Sequence, residues 1–216
     1  MSEFRSRLAE IEQRIQSACQ RVGRSREEVT LIAISKTFSD QAIHEAYEAG
    51  IRDFGESRWQ ELQPKAVRLP DDIRWHFVGA MQSNKAKSIA AHVHSIHSIE
   101  NERQIREIAK QNHQVEGFVQ VNIADEQQKS GISPQRVDSI VTSVLKCEVI
   151  RFRGLMTIGP AVTNPEESRV WFRSLAQIGR AYSVRGLSMG MSHDFDVAIE
   201  EGATHIRVGS ALFGSR

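Results

Sequence analysis

Eight short apolar runs, each parted from the next by one stretch of helical length, constrain the fold of this chain more than any other feature of it. The runs cover residues 31–35, 53–56, 75–79, 93–99, 117–123, 149–158, 184–189 and 205–209; the stretches between them cover 40–49, 57–67, 84–91, 101–112, 134–145, 165–180 and 194–201. Parallel neighbours in a sheet cannot be joined by a tight turn and need a crossover about as long as a helix, so this alternation predicts a parallel sheet. Ahead of the first run, Phe4, Leu8, Ile11, Ile15, Ala18 and Val22 recur every three or four residues, the stripe of one helix face over residues 1–22. Counted as closing the ring, that helix matches helices to strands. The expected fold is therefore α/β, a single (β/α)8 TIM barrel, with an open doubly wound sheet as the alternative.

Turn chemistry agrees at several joints. Gly50 and Gly202 follow helical stretches, while Pro134 and Pro165 stand where a first helical turn needs no N–H donor, with Ser133 and Asn164 before them as N-caps. No Pro/Gly/Ser-rich linker or shift of composition divides the chain. One domain spanning 1–216 is expected, with the N-terminal helix packed on the barrel.

With 40% hydrophobic and 25% charged residues the chain falls in the ordinary globular class, and a formal charge of +1 gives no reason to expect nucleic acid or an anionic membrane as partner. Cys19 and Cys147 are too few for a disulfide scaffold and have no metal spacing. The charged and apolar residues of the first eight positions do not resemble a signal peptide, and no run approaches membrane-spanning length, so a cytoplasmic protein is expected. His92, His94 and His97 do not suggest a metal site, because 92 and 94 share one strand face and 97 takes the other.

Barrel enzymes gather their sites at the carboxyl ends of the strands, and here those ends are polar and rich in glycine. Lys36 ends the run 29–36. A strand-end amine removed from water would have a lowered pKa and become a nucleophile towards carbonyls, though a strand end is also where many lysines reach solvent. The segment Leu187-Ser-Met-Gly-Met-Ser-His-Asp ends strand seven and Arg207-Val-Gly-Ser ends strand eight. Small residues at Gly190 and Gly209, followed by helix N-termini, let backbone N–H groups approach an anion, which suits phosphate. An amine facing a phosphate cradle suggests a ligand carrying both an aldehyde and a phosphate, pyridoxal 5′-phosphate (PLP), held on Lys36 as a Schiff base.

The segments Ile34-Ser-Lys-Thr, Phe54-Gly-Glu, Trp75-His-Phe-Val-Gly with Gln82-Ser-Asn-Lys, Val121-Asn-Ile with Lys129-Ser-Gly-Ile, Gly154-Leu-Met-Thr-Ile, Leu187-Ser-Met-Gly-Met-Ser, and Arg207-Val-Gly-Ser with Phe213-Gly carry a resemblance over nearly the whole chain. In that order they resemble the pyridoxal phosphate homeostasis proteins. The resemblance implies a fold-type III barrel similar to the N-terminal domain of alanine racemase, with PLP on Lys36. It implies that Ser192 and the backbone of Gly209 and Ser210 hold the phosphate, with Arg207 at the pyridine nitrogen. Ser57, Ser188 and Met191 complete the candidate cofactor-binding set together with His76, which also reads as a satisfied core histidine. Two positions depart from the family's pattern: Ser57 replaces its usual Asn, and Ala80 its usual Pro. The shorter Ser57 puts a direct contact to the ring in question.

Racemase chemistry needs a proton acceptor on each face of the substrate carbon, and Lys36 supplies one. The resemblance implies that alanine racemase takes the other, a tyrosine, from elsewhere. Here Tyr47 and Tyr182 both fall on helices. The first expectation is thus a non-catalytic protein that buffers PLP and delivers it through transient contact with PLP-dependent apoenzymes, as a monomer or weak dimer. The second is an amino-acid racemase or lyase using PLP on Lys36, and a third is a cofactor-free sugar-phosphate barrel enzyme. Lys129 and the loop bearing Met81 and Lys85 lie on the same face, where Lys129 would guide an anionic cofactor.

Overall fold

The computed structural model describes residues 2–126 and 128–214. Strands β1 (Thr30–Ile34), β2 (Asp53–Glu56), β3 (Arg74–Phe77), β4 (Ser95–Ile99), β5 (Val115–Gln120), β6 (Ile150–Met156), β7 (Gly186–Met191) and β8 (His205–Val208) pair in sequence order. All pairings are parallel, and β8 returns to β1, closing the barrel that the alternation of the sequence predicts.

Outside it run α1 (Glu3–Arg21), α2 (Asp40–Glu48), α3 (Trp59–Arg68), α4 (Ala86–Ala90), α5 (Glu102–Ile108), α6 (Val137–Leu145), α7 (Arg169–Ala181), α8 (Phe195–Glu200) and α9 (Ser210–Phe213). Caps explain several starts: Ser39 Oγ accepts from Ala42 N at 3.3 Å and Asn101 Oδ1 from Gln104 N at 2.9 Å, while Asn164 Oδ1 accepts from Glu166 N at 3.1 Å at the head of the 3-10 turn Pro165–Ser168 that leads into α7. Ser133 makes no such bond; the chain after it opens as a 3-10 turn, Pro134–Arg136, before α6 begins. α5 ends at Ile108 rather than running on to 112, because the polar residues after it have no apolar face to bury. α9, beyond the last predicted element, is a single turn directly after the end of β8.

Most of the apolar core fills the layer between sheet and helices, where Phe54, Leu62, Ile96, Ile105, Val144, Phe172, Leu187 and Phe195 are buried. The barrel interior is different. His205 of β8 lies with its ring 5.9 Å from His97 of β4 and 6.4 Å from His76 of β3, contacts between strands that are not neighbours and that therefore cross the lumen. Phe118 stacks on His97 at 4.4 Å between centroids. The barrel interior thus carries imidazoles and a phenyl ring beside aliphatic residues such as Ile32 and Met156, where aliphatic layers alone are usual.

α1 packs along α8 and α9. Arg14 bonds Asp196 at 2.7 Å, Arg7 Nε donates to Leu212 O at 2.9 Å, and Phe4 meets Phe213 at 5.5 Å between centroids. Phe213 in turn stacks on Phe38, just past Lys36, at 4.7 Å. Among the described residues no helix is long and apolar enough to cross a membrane.

Candidate functional site

A cavity of about 490 Å³ opens at the carboxyl ends of the strands. Lys36, Ser57, Met191, Ser192, Arg207, Gly209 and Ser210 all line it, so seven of the candidate residues meet in one place. His76 and Ser188 do not. Both are buried below it: the two ring nitrogens of His76 engage His97 and Asp53, and Ser188 Oγ engages Arg207 and His97. With those partners in place neither side chain faces the cavity, and both candidates move from its lining to its support.

Lys36 stands in the turn after β1. Of the two environments that a strand-end lysine can take, Lys36 has the exposed one, because the turn lifts it off the strand into the open cavity. The buried lysine is Lys65 on α3, 6% exposed, directly behind that turn. Its Nζ donates to Ser35 O at 2.8 Å and Glu56 Oε1 at 2.7 Å, and Ser35 Oγ donates to the same Glu56 oxygen at 2.7 Å. Burial pushes the Glu56 carboxyl upward, opposed by the Lys65 ammonium and the Ser35 hydroxyl. On the other side of Lys36, Thr37 N donates to Glu61 Oε2 at 2.7 Å, and Thr37 takes a left-handed φ of +67°. For a β-branched residue that conformation is strained, and the contacts flanking it hold it in place.

Opposite lies a cradle of donors. Ser192 Oγ accepts from Gly209 N at 3.3 Å and Ala211 N at 3.4 Å, with Ser210 Oγ also 3.4 Å away. The loops after β7 and β8 therefore converge on one point. The β7–β8 register slips between Ser188 and Met191, and Gly190 sits in that irregularity at φ +90°, where an added Cβ would come 2.5 Å from Ala198 Cβ. Asp194 secures the loop, accepting from Met191 N at 2.8 Å and Ser168 Oγ at 2.9 Å. The cradle is close to the amine's strand: a Cβ on Gly209 would lie 3.4 Å from Ile34 Cβ.

Arg207 lies at the base of the cavity, 5% exposed, donating from Nη1 to Ser188 Oγ at 2.7 Å and from Nη2 to Thr157 O at 2.8 Å. Burial pushes it down to about 10, still far enough above neutrality to keep the guanidinium charged. Ser57 and Ala80, the two departures from the family pattern, both line the wall. Gly79 between them is fixed by a close approach, since a Cβ there would meet Ser57 O at 2.0 Å.

Gln120, Ser130, Ile158 and His193 also line the cavity and were not among the sequence candidates. Gln120 was findable as a polar residue within the apolar run 117–123. Lys129 is tied to Glu126 Oε1 at 2.7 Å and Gly159 O at 3.2 Å and lies outside the lining, as does Lys85. Among the described residues no tyrosine lines the cavity; Tyr47 OH donates to Asp72 on the outer surface at 2.8 Å.

The sequence model of the family described as alanine racemase, N-terminal domain, matches residues 6–216. A protein of Aquifex aeolicus named pyridoxal phosphate homeostasis protein is 41% identical over 221 residues, covering 97% of each chain. An Escherichia coli K12 protein of the same name is 36% identical over all of this chain and 98% of its own. Among solved structures, PipY of Synechococcus elongatus with PLP bound is 32% identical and superposes with a TM-score of 0.84 over 98% of this chain and 100% of that one. Alanine racemase of Clostridium difficile, at 10% identity and a TM-score of 0.74, shares the fold over 57% of its length. A family match from residue 6 to residue 216, joined by relatives above 30% identity along their whole length, shows that the chain belongs to the alanine racemase N-terminal domain family, on the branch of the pyridoxal phosphate homeostasis proteins.

Proposed function

We propose that this protein binds pyridoxal 5′-phosphate at the barrel mouth and serves its homeostasis in the cytoplasm, buffering the cofactor and releasing it to apoenzymes by transient contact without turning over a substrate of its own. One observation carries the reading: an amine, a two-loop donor cradle and a buried guanidinium open onto a single cavity. The fit is chemical as well as spatial. Two backbone N–H groups and two hydroxyls around Ser192 suit the oxygens of a phosphate. Lys36 would hold the aldehyde carbon covalently, and Arg207, which can only donate, would face the ring nitrogen and leave it without a proton. When bound, the cofactor supplies an electrophilic carbon that takes up amines. Ser57, shorter than the family's usual Asn, leaves room on that wall.

The protein's own groups favour retention over turnover. A racemase needs two proton acceptors at the substrate carbon, and no tyrosine lines the cavity among the described residues. His193 is the observation that keeps the second reading, a racemase or lyase, in view: its imidazole lines the cavity, with Nε2 3.1 Å from Thr163 O.

Purified protein titrated with PLP is expected to give an absorbance band that borohydride fixes, and peptide mapping should place the adduct on Lys36. Lys36→Ala should abolish the fixed adduct. An adduct on Lys65, Lys85 or Lys129, or none at all, would overturn the assignment. Exchange of the α-hydrogen of L- or D-alanine with deuterium oxide, lost in His193→Ala, would instead establish the enzyme.

A further inference from the structure

Arg207 is the upper end of a run of hydrogen bonds that crosses the barrel interior. Ser188 Oγ, which accepts from its Nη1, lies 2.8 Å from His97 Nδ1. His97 Nε2 lies 3.0 Å from His76 Nδ1, and His76 Nε2 lies 3.0 Å from Asp53 Oδ1. Asp53 begins β2 at the amino-terminal rim, far from the cavity, where Arg74 Nε also donates to Oδ1 at 2.8 Å.

The carboxylate end, through two neutral imidazoles, fixes the direction of every hydrogen in this run, and the guanidinium end is compatible with it. A guanidinium only donates, so Ser188 must accept from it and has its own hydrogen to give to His97 Nδ1. A carboxylate only accepts, so His76 Nε2 must carry a hydrogen towards Asp53. A neutral His76 then accepts at Nδ1, which requires a hydrogen on His97 Nε2 and a bare His97 Nδ1. The two deductions meet without conflict.

We propose that Asp53, His76, His97 and Ser188 are positioning residues for Arg207, a one-way hydrogen-bond chain that locks both histidines as Nε2–H tautomers and holds the guanidinium where it would meet the cofactor's ring nitrogen. The part about the ring rests on the PLP reading of the cavity; the chain itself belongs to the free protein. Burial lowers the pKa of both histidines, against the pull of Asp53 on His76, which keeps them neutral. The groups around them are His94, His205, Arg74 and Arg207, which add to the lowering, and Asp53, which opposes it. Ser188 and His97 never touch the cofactor in this scheme. They act by fixing the one orientation in which Nη1 and Nη2 are spent below and the remaining N–H hydrogens are left for the cavity.

The chain is tested first without cofactor, by long-range nitrogen–proton correlation spectra of histidine-labelled protein. At neutral pH His76 and His97 should both show the neutral Nε2–H pattern. In Asp53→Asn the far end offers hydrogens as well as an oxygen, and Nδ1–H forms of both rings should appear. PLP titrations then read the effect on the cavity: Ser188→Ala should weaken binding about tenfold and move the absorbance maximum, since it removes a bond to a charged group. Ser188→Thr should return both towards wild type. His97→Phe, which keeps the stack on Phe118, should act like Ser188→Ala and serves if that variant does not fold. An Nδ1–H tautomer in the wild type, or an unmoved band and affinity in both broken-chain variants, would overturn the chain while leaving PLP binding intact. A wild type with Nε2–H histidines that takes up no PLP would remove the proposed function and keep the chain as the support of Arg207.

Discussion

Lys36 and Arg207 both line the cavity, yet the barrel supports them by opposite means. Behind the lysine turn lies a buried ion pair, Lys65 with Glu56, that grips the turn through the backbone of Ser35. Beneath the arginine lies a run of neutral imidazoles and a hydroxyl that reaches a charge only at the amino-terminal rim. The ion pair is short and must offset the desolvation of both its charges. The neutral run is long but keeps both its charges at its ends. A lysine carried on a turn needs that turn held, whereas a guanidinium needs its plane held, and the two supports differ accordingly.

The comparison can be broken from the ionic side with the largest effect. Lys65→Met leaves Glu56 buried without its counter-charge and should cost about 3–5 kcal/mol in denaturant unfolding, with Glu56→Leu added to it recovering most of the loss. A loss below about 1 kcal/mol would show that the pair is not ionised in the folded protein.

Acid should strike the neutral side next. Burial pushes His205 down to about 3 and holds His97 well below its ordinary value, so both stay neutral in the fold while the unfolded chain takes up protons. For such depressed histidines the stabilisation is fully present above the unfolded value near 6.5 and is lost as pH falls through the window between that and the folded value. Each should remove up to about 1.4 kcal/mol per pH unit below about 6, and His205→Asn should flatten the decline; a stability that is level from pH 7 to pH 5 would contradict it.

The most local effect is expected at the joint of the ionic side with the turn. Ser35→Ala removes one hydrogen bond to Glu56 and should cost about 1.5–3 kcal/mol, with the Lys36 adduct still forming. Loss of the adduct in that variant would make the hydroxyl part of the site itself.

The barrel was legible in the sequence because eight alternations leave few other arrangements, and the cavity was legible because strand ends in a barrel share one face. Lys36, Ser192, Arg207 and Gly209 could be placed from strand ends alone. The supports could not. Lys65 reads as a solvated helix residue until α3 is docked over β2, and the pairing of His97 with His76 and Ser188 depends on distances across a closed lumen that periodicity does not encode. Parity did place His97 on the face opposite His94, and the barrel turned that face inward. His205, the first residue of β8, gave no signal, since nothing local distinguishes an imidazole that plugs a barrel from one that ends a loop.

Phe213 touches Phe4 of α1 on one side and Phe38, past the lysine turn, on the other, within the single helical turn that begins at the anion cradle. One phenyl ring is thus a shared keystone: tilting the first helix away would loosen the lysine turn and the donor cradle together, so that the shape of the cavity is tied to how firmly that helix is seated.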